Sequence, residues 1–125
     1  MSNNHSEEEA SASASAAKEI LSTILDDKNL RIMKVLEGKE MNIQQISQAS
    51  GIPLSSTYRK IGKLEQLQLI KKTKVIRRLD GLDETFYILW VEKIDLTYNR
   101  NRISYRIKHK PLEDKIVRLW QKFKV

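Results

Sequence analysis

The thirty residues from Met41 to Ile70, MNIQQISQASGIPLSSTYRKIGKLEQLQLI, leave this chain little choice of fold. Ile43, Ile46 and Ala49 recur at helical spacing and predict the inward side of a helix, with Asn42 as its N-cap. Gly51 supplies the left-handed residue that ends such a helix, and Ile52 is placed to pack beneath the turn. Pro53 suits the first turn of a second helix, where its missing N–H costs nothing. Leu54, Thr57, Ile61 and Leu64 then share one face. Ser55, Ser56, Arg59, Gly62 and Lys63 occupy the other.

Two helices joined by a tight glycine turn have the layout of a helix-turn-helix, whose second helix sits in the DNA major groove. That helix is expected over 53–67. From Arg59 to Arg78 the sequence carries eight cations and one anion, Glu65, and phosphate neutralisation by such residues drives affinity through counterion release. Ser55 and Ser56 can donate to phosphate beside the positive end of the helix dipole. Arg59 is spaced to offer its fork to a guanine edge, with Lys60 beside it and Lys63 one turn further. Tyr58 lies at the flank, fit to pack on a sugar or to stay in the core rim. Gly62 costs about 1 kcal/mol of helix propensity. It either lets the backbone approach a ligand closely or is a tolerated surface glycine, the simpler reading.

Before this unit, Ile20, Leu21, Ile24 and Leu25 predict a short helix from Lys18 to Asp26. A second follows, capped by Asp27 or Asn29, with a stripe of Leu30, Met33 and Leu36 and a stop at Gly38. After the unit, Lys71–Leu79 reads as a strand, Asp80-Gly81 as a hairpin turn and Thr85–Val91 as the returning strand. Two strands after a helix-turn-helix make a wing, and Lys74, Arg77 and Arg78 are placed to touch DNA backbone. Asp80, Asp83 and Glu84 at the tip repel phosphates, so the tip is expected to stay clear or to meet a protein. Ile94, Leu96 and Tyr98, then Ile103, Tyr105 and Ile107, alternate about a polar break and predict a second hairpin. Beyond Pro111, Leu112, Ile116, Leu119, Trp120 and Phe123 form the apolar stripe of a last helix. That stripe either covers its own hairpin or pairs with a twofold mate. Dimerisation is the reading preferred, since dimers match twofold operators.

Charge supports a polyanionic partner. The chain of 125 residues has 23 Lys and Arg against 16 Asp and Glu, a net +7. Glu7, Glu8 and Glu9 are the only charges in the first 17 residues, so the remainder carries +10. That favours nucleic acid or an anionic surface. Residues 1–17, ending in ASASASAA, are small and polar and are expected to form a disordered tail, whose alanines could let its last turn join the following helix. A second basic group, Arg100, Arg102, Arg106, Lys108, His109 and Lys110, reads equally as an extended DNA track, a site for an acidic partner, or solubilising charge. There is no cysteine, and the two histidines are isolated, so neither thiol chemistry nor a transition-metal sensor is suggested. No nucleophile elbow, zinc-protease or P-loop motif is present. The absence of a secretory pattern or a long apolar run makes a soluble, cytoplasmic, nucleoid-associated protein the expectation.

The run Ile43–Ile70 resembles winged helix-turn-helix transcriptional regulators of the ArsR/MarR-like type, especially small archaeal ones. The resemblance rests on Gly51, Ser55-Ser56-Thr57, Arg59, Leu64-Glu65 and Leu69-Ile70, with Asn29-Leu30-Arg31-Ile32 upstream, and it covers about residues 18–91. Gln68 departs from the glycine such families place before the Leu-Ile exit, and the metal-binding cysteines of the ArsR type are missing. The expected class is α+β, a winged helix-turn-helix (18–91) with an added C-terminal hairpin and terminal helix (92–125). The expected function is a non-enzymatic, sequence-specific, homodimeric regulator of transcription that binds double-stranded DNA without cofactor, metal or membrane. Two other readings stay open. One is a winged-helix docking module of the transcription machinery, using the wing tip or the last helix. The other is a non-specific chromatin or RNA binder.

Overall fold

A computed structural model of the chain describes residues 3–111, with side-chain surroundings from residue 14 onward. The expected terminal helix, with Leu112, Ile116, Leu119, Trp120 and Phe123, lies outside the described residues. The elements are α1 (Asn3–Ile24), α2 (Asp27–Val35), β1 (Met41–Asn42), α3 (Ile43–Ser50), α4 (Leu54–Gln66), β2 (Ile70–Arg77), β3 (Asp83–Leu89), β4 (Val91–Asn99) and β5 (Arg102–His109). This is a mixed α+β winged-helix architecture. β1, β3 and β2 form one antiparallel sheet in that order, and β4 and β5 form a second.

α1 differs from the sequence expectation, since it runs through residues expected to be a tail. Polarity argues for disorder, but alanine and glutamate are strong helix formers, and Ala17, Ile20 and Thr23 anchor the helix by burial. Its side packs against β5. α2 is capped by Asp26, not by Asp27 or Asn29. The Asp26 carboxylate accepts from Lys28 N at 2.9 Å and Asn29 N at 3.1 Å. Ile32 and Leu36, four apart on one face, point into the core, and Leu30, expected in the stripe, is 46% exposed. The helix closes at Leu36, and Gly38 takes φ 71 two residues later.

α3 begins with a reciprocal capping box. Asn42 Oδ1 accepts from Gln45 N at 2.8 Å, and Asn42 N donates to Gln45 Oε1 at 3.0 Å. Gly51 ends it at φ 73. Ile46 and Ser50 are buried, and Ala49, expected inside, is exposed. The core gathers Ile32, Leu36, Ile46, Ile52, Ile61, Leu64, Leu69 and Ile70 with Tyr87 and Val91, joining the three helices to the root of the sheet.

The chain leaves α4 through Gln68, which takes φ 62 at the place where a glycine is usual. β2 and β3 pair from Ile70↔Leu89 to Arg77↔Asp83, with a bulge between Lys72 and Lys74. The bulge sets Lys71 and Lys74, three apart, on the same side as Ile88 and Phe86. Lys71 Nζ lies 4.3 Å from the centre of the Trp90 ring and Lys74 Nζ 4.8 Å from that of Phe86. β3 ends at Leu89, short of the expected Val91, because Trp90 N and Val91 N both donate to Leu69 O at 3.0 Å. That double contact turns the chain out of the wing sheet and into the second hairpin. There the expected alternation is observed: Ile94↔Ile107, Leu96↔Tyr105 and Tyr98↔Ile103 pair on one face. Trp90 stacks on His109, with ring centres 4.0 Å apart, and His109 Nε2 lies 2.9 Å from Gln68 O. The hairpin root is thus tied to the end of α4.

Candidate nucleic-acid interface

The turn between α3 and α4 is held by hydroxyls. Ile52 O accepts from Ser47 Oγ of α3 at 2.6 Å and from Thr57 Oγ1 of α4 at 3.2 Å; Thr57 Oγ1 also lies 3.0 Å from Pro53 O. Arg31 of α2 donates to Ser50 O at 3.2 Å. Of the three hydroxyls in Ser55-Ser56-Thr57, the buried Thr57 is therefore structural. It sits at 0% exposure, while Ser55 is exposed and Ser56 half-buried. The start of α4 has no side-chain cap, so its first N–H groups stay available to an anion.

At 100° per residue, Ser55, Arg59, Gly62 and Gln66 lie opposite the buried Thr57, Ile61 and Leu64. All four of these outward residues are exposed. Arg59 makes no ion pair or hydrogen bond among the described residues, so its guanidinium is free to engage a ligand. A Cβ built on Gly62 would meet nothing within 4 Å. Nothing among the described residues therefore requires glycine there.

The other candidate cations differ in their surroundings. Lys60 is turned aside toward Asp26, with Nζ 3.6 Å from the carboxylate. Lys63 pairs with Glu19 of α1, 44 residues away. The Asp26 carboxyl is held below its ordinary 3.8, chiefly because the Asn29 N–H donates to it, with Lys60 and the Lys28 N–H adding to the effect against a smaller opposing push from burial. On the wing, Lys74 pairs with Glu40 at 3.2 Å, Arg77 with Asp83 at 3.7 Å and Arg78 with Asp80 at 3.3 Å. Each candidate wing cation thus has a carboxylate beside it, which weakens its pull on phosphate. These pairs are largely exposed and individually weak, so a phosphate can compete for the cations. Lys72, an exposed cation of β2 that the sequence reading did not select, has no such partner among the described residues. Its register opposite Tyr87 at the bulge could not be read from the alternation alone.

Between α4 and the wing lies a cleft of about 430 Å³, lined by Leu54, Tyr58 and Gly62 on one side and Arg78, Leu82 and Glu84 on the other. Tyr58 is 58% exposed along it. Burial pushes the Tyr87 phenol at its floor above the ordinary 10.0, with Glu65 and Tyr58 adding. Asn42 Nδ2 donates to Glu84, joining the cap of α3 to the wing across one end of the cleft. Leu79 and Leu82 at the wing tip project into solvent.

No group of His, Cys, Asp and Glu among the described residues could hold a metal ion. No described helix is long and apolar enough to cross a membrane.

No curated protein matches the sequence significantly. Among solved structures, reduced HlyU from Vibrio cholerae is similar, with a TM-score of 0.50 and 19% identity over 60% of this chain and 73% of that one. NolR from Sinorhizobium fredii has a TM-score of 0.47 and 18% identity over 98% of this chain and 93% of that one. The likeness to HlyU is one of fold. Residues 27–74, which run from α2 into β2, match the model of the IclR helix-turn-helix domain. The chain therefore carries a helix-turn-helix DNA-binding unit, set in a winged-helix fold.

Proposed function

We propose that this protein is a sequence-specific regulator of transcription that binds double-stranded DNA with α4 in the major groove. The observation that carries the reading is the unpartnered Arg59 on the outward face of α4, flanked by exposed Ser55 and Gly62, on a helix-turn-helix locked from within by Ser47 and Thr57. In this reading Arg59 reads a base edge, Ser55 and Ser56 hold phosphate at the helix start, and Tyr58 lies against the sugar on the wing side. Lys60 and Lys63 exchange Asp26 and Glu19 for phosphate, and Lys74, Arg77 and Arg78 do the same along the wing.

The protein acts as a homodimer in this account, with Leu112, Ile116, Leu119, Trp120 and Phe123 supplying the apolar contact. A twofold protein matches a palindromic operator. The ArsR/MarR-like subtype is part of the same proposal, supported by the motif around Gly51 and Arg59. The role is that of a binding protein, not an enzyme, and its place is on the nucleoid.

Selection of genomic fragments on the purified protein tests the reading. An enriched, roughly palindromic site bound far more tightly than scrambled duplex is the expected result. Equal, salt-sensitive binding to every duplex would make it a chromatin-type protein. A second reading, a protein-docking module, is favoured by one feature: the wing tip combines exposed Leu79 and Leu82 with carboxylates already on its arginines. It predicts partner binding that resists salt, with no affinity for duplex DNA.

A further inference from the structure

Among the described residues, the arginines without a carboxylate partner are concentrated away from the wing. On the β4–β5 hairpin, Lys93 lies 3.6 Å from Asp95 and Lys108 lies 3.8 Å from Glu92, both exposed pairs. Arg100, Arg102 and Arg106 are exposed and have no carboxylate partner among the described residues. Arg102 and Arg106 share the polar face, opposite Asn99 and Asp95 in register, while Ile103, Tyr105 and Ile107 face the other way. Four residues of strand separate the two arginines by roughly 14 Å, a span of about four base steps at 3.4 Å each. Arg100 stands at the apex.

The apex carries a second, independent observation. Arg100 and Asn101 take φ 51 and 66, so the two-residue turn has the primed geometry that favours glycine, asparagine or aspartate. An arginine in the left-handed region is strained. Tyr98 donates to Asn101 Oδ1 at 3.0 Å and holds the turn in place. The chain thus holds a cation at the tip of the ribbon against the local preference of the backbone, as happens where a side chain has a task.

We infer that the β4–β5 hairpin is a second DNA-binding element, a basic ribbon that grips the duplex backbone beside the segment read by α4 through Arg100, Arg102 and Arg106. Arginine forks suit phosphate oxygens better than the point charge of lysine, and a two-stranded ribbon is narrow enough to enter a major groove. Asn99 and Asn101 beside the tip add donors and acceptors of the kind that meet sugar, phosphate and base edges. This inference rests on the DNA-binding reading of α4 and deepens it.

The test uses the full chain on its own enriched duplex. Wild type is compared with the triple variant Arg100→Gly, Arg102→Gln, Arg106→Gln, with Arg100→Gly alone, and with Arg59→Ala. Each lost phosphate contact lowers the slope of log K against log salt by about 0.9, so the triple variant should show a slope shallower by about 2 to 3. Its footprint should shorten on the flank and keep the segment read by α4. Arg100→Gly should weaken binding while keeping or raising the melting temperature, a combination that a merely structural role does not give. A triple variant with unchanged slope and footprint, beside an Arg59→Ala variant that is weakened, would overturn the ribbon proposal alone. Wild type that binds no duplex would remove the α4 reading and this one together. DNA binding retained by the triple variant, with a loss of affinity for polyglutamate, would assign the ribbon to acidic protein and overturn its role on DNA.

Discussion

Asn42 is the residue through which the helix-turn-helix and the wing stabilise each other, and its replacement gives a measurable magnitude. Its Oδ1 caps α3 by accepting from Gln45 N at 2.8 Å, and its Nδ2 donates to Glu84 on β3. Asn42→Ala removes both bonds and leaves the Gln45 side chain still able to accept from the backbone of residue 42. The lost cap costs about 1 kcal/mol. A hydrogen bond to a charged group contributes about 1.5–3 kcal/mol when buried. Glu84 is only half-buried, so about 1 kcal/mol is the fitting figure, discounted for screening. The sum is about 2 kcal/mol, which for a chain of 125 residues lowers the melting temperature by roughly 6–10 °C. Asn42→Asp separates the two parts. It keeps the cap acceptor, removes the donor and sets two carboxylates against each other, so it should lose at least half as much. Adding Glu84→Gln to Asn42→Asp should recover most of that loss. Thermal melts followed by circular dichroism, with urea titrations as a second measure, read all four proteins. Asn42→Asp as stable as wild type would show that the link to the wing contributes nothing. Asn42→Ala melting within about 2 °C of wild type would refute the reasoning altogether.

Three other outcomes follow from the same geometry. Thr57→Val leaves Ile52 O with the Ser47 hydroxyl alone and should cost about 0.5–1.5 kcal/mol in urea unfolding. Gln68→Gly relieves a left-handed glutamine at the exit of α4 and should stabilise the fold by about 1 kcal/mol in the same assay; a destabilised variant would mean the Gln68 side chain has a role of its own. Asp26 governs part of the acid sensitivity. Its folded carboxyl titrates below the unfolded 3.8, so its contribution is present above that pH and is lost as pH falls through the folded value. Asn caps as well as Asp. The stability of Asp26→Asn should therefore trail wild type at neutral pH, with the gap closing below about pH 3.8.

The parts of the fold legible in the sequence are those set by local chemistry. Gly51, Asn42 and the alternation about residues 99–101 each specify their own backbone within a few residues, so the α3–α4 turn and the second hairpin match expectation. Elements set by distant partners are harder to read. β1 is two residues long and exists because Met41 and Asn42 meet Tyr87 and Phe86. The end of β3 is fixed by Leu69 O receiving two donors, which no pattern around Trp90 announces. α1 reaches back to Asn3 because helix propensity in its alanines outweighs the polarity that suggested a tail. The candidate site divides in the same way. Periodicity suffices to place Ser55 and Arg59 on the outward face of α4. That Lys60 and Lys63 lean on Asp26 and Glu19, and that the wing cations sit beside carboxylates, depends on contacts across the fold. Charge counting treats paired and free cations alike, so it gave the wing more weight than Arg100, Arg102 and Arg106.

The most direct test of the central claim is base preference in Arg59→Ala. Binding of wild type and variant is measured on the enriched duplex and on every single-base-pair substitution of it. α4 in the major groove predicts a loss of about 1–3 kcal/mol and a relaxed preference confined to one position of each half-site. An unchanged affinity, or a uniform loss with every base preference intact, would contradict the assignment of α4 as the reading helix.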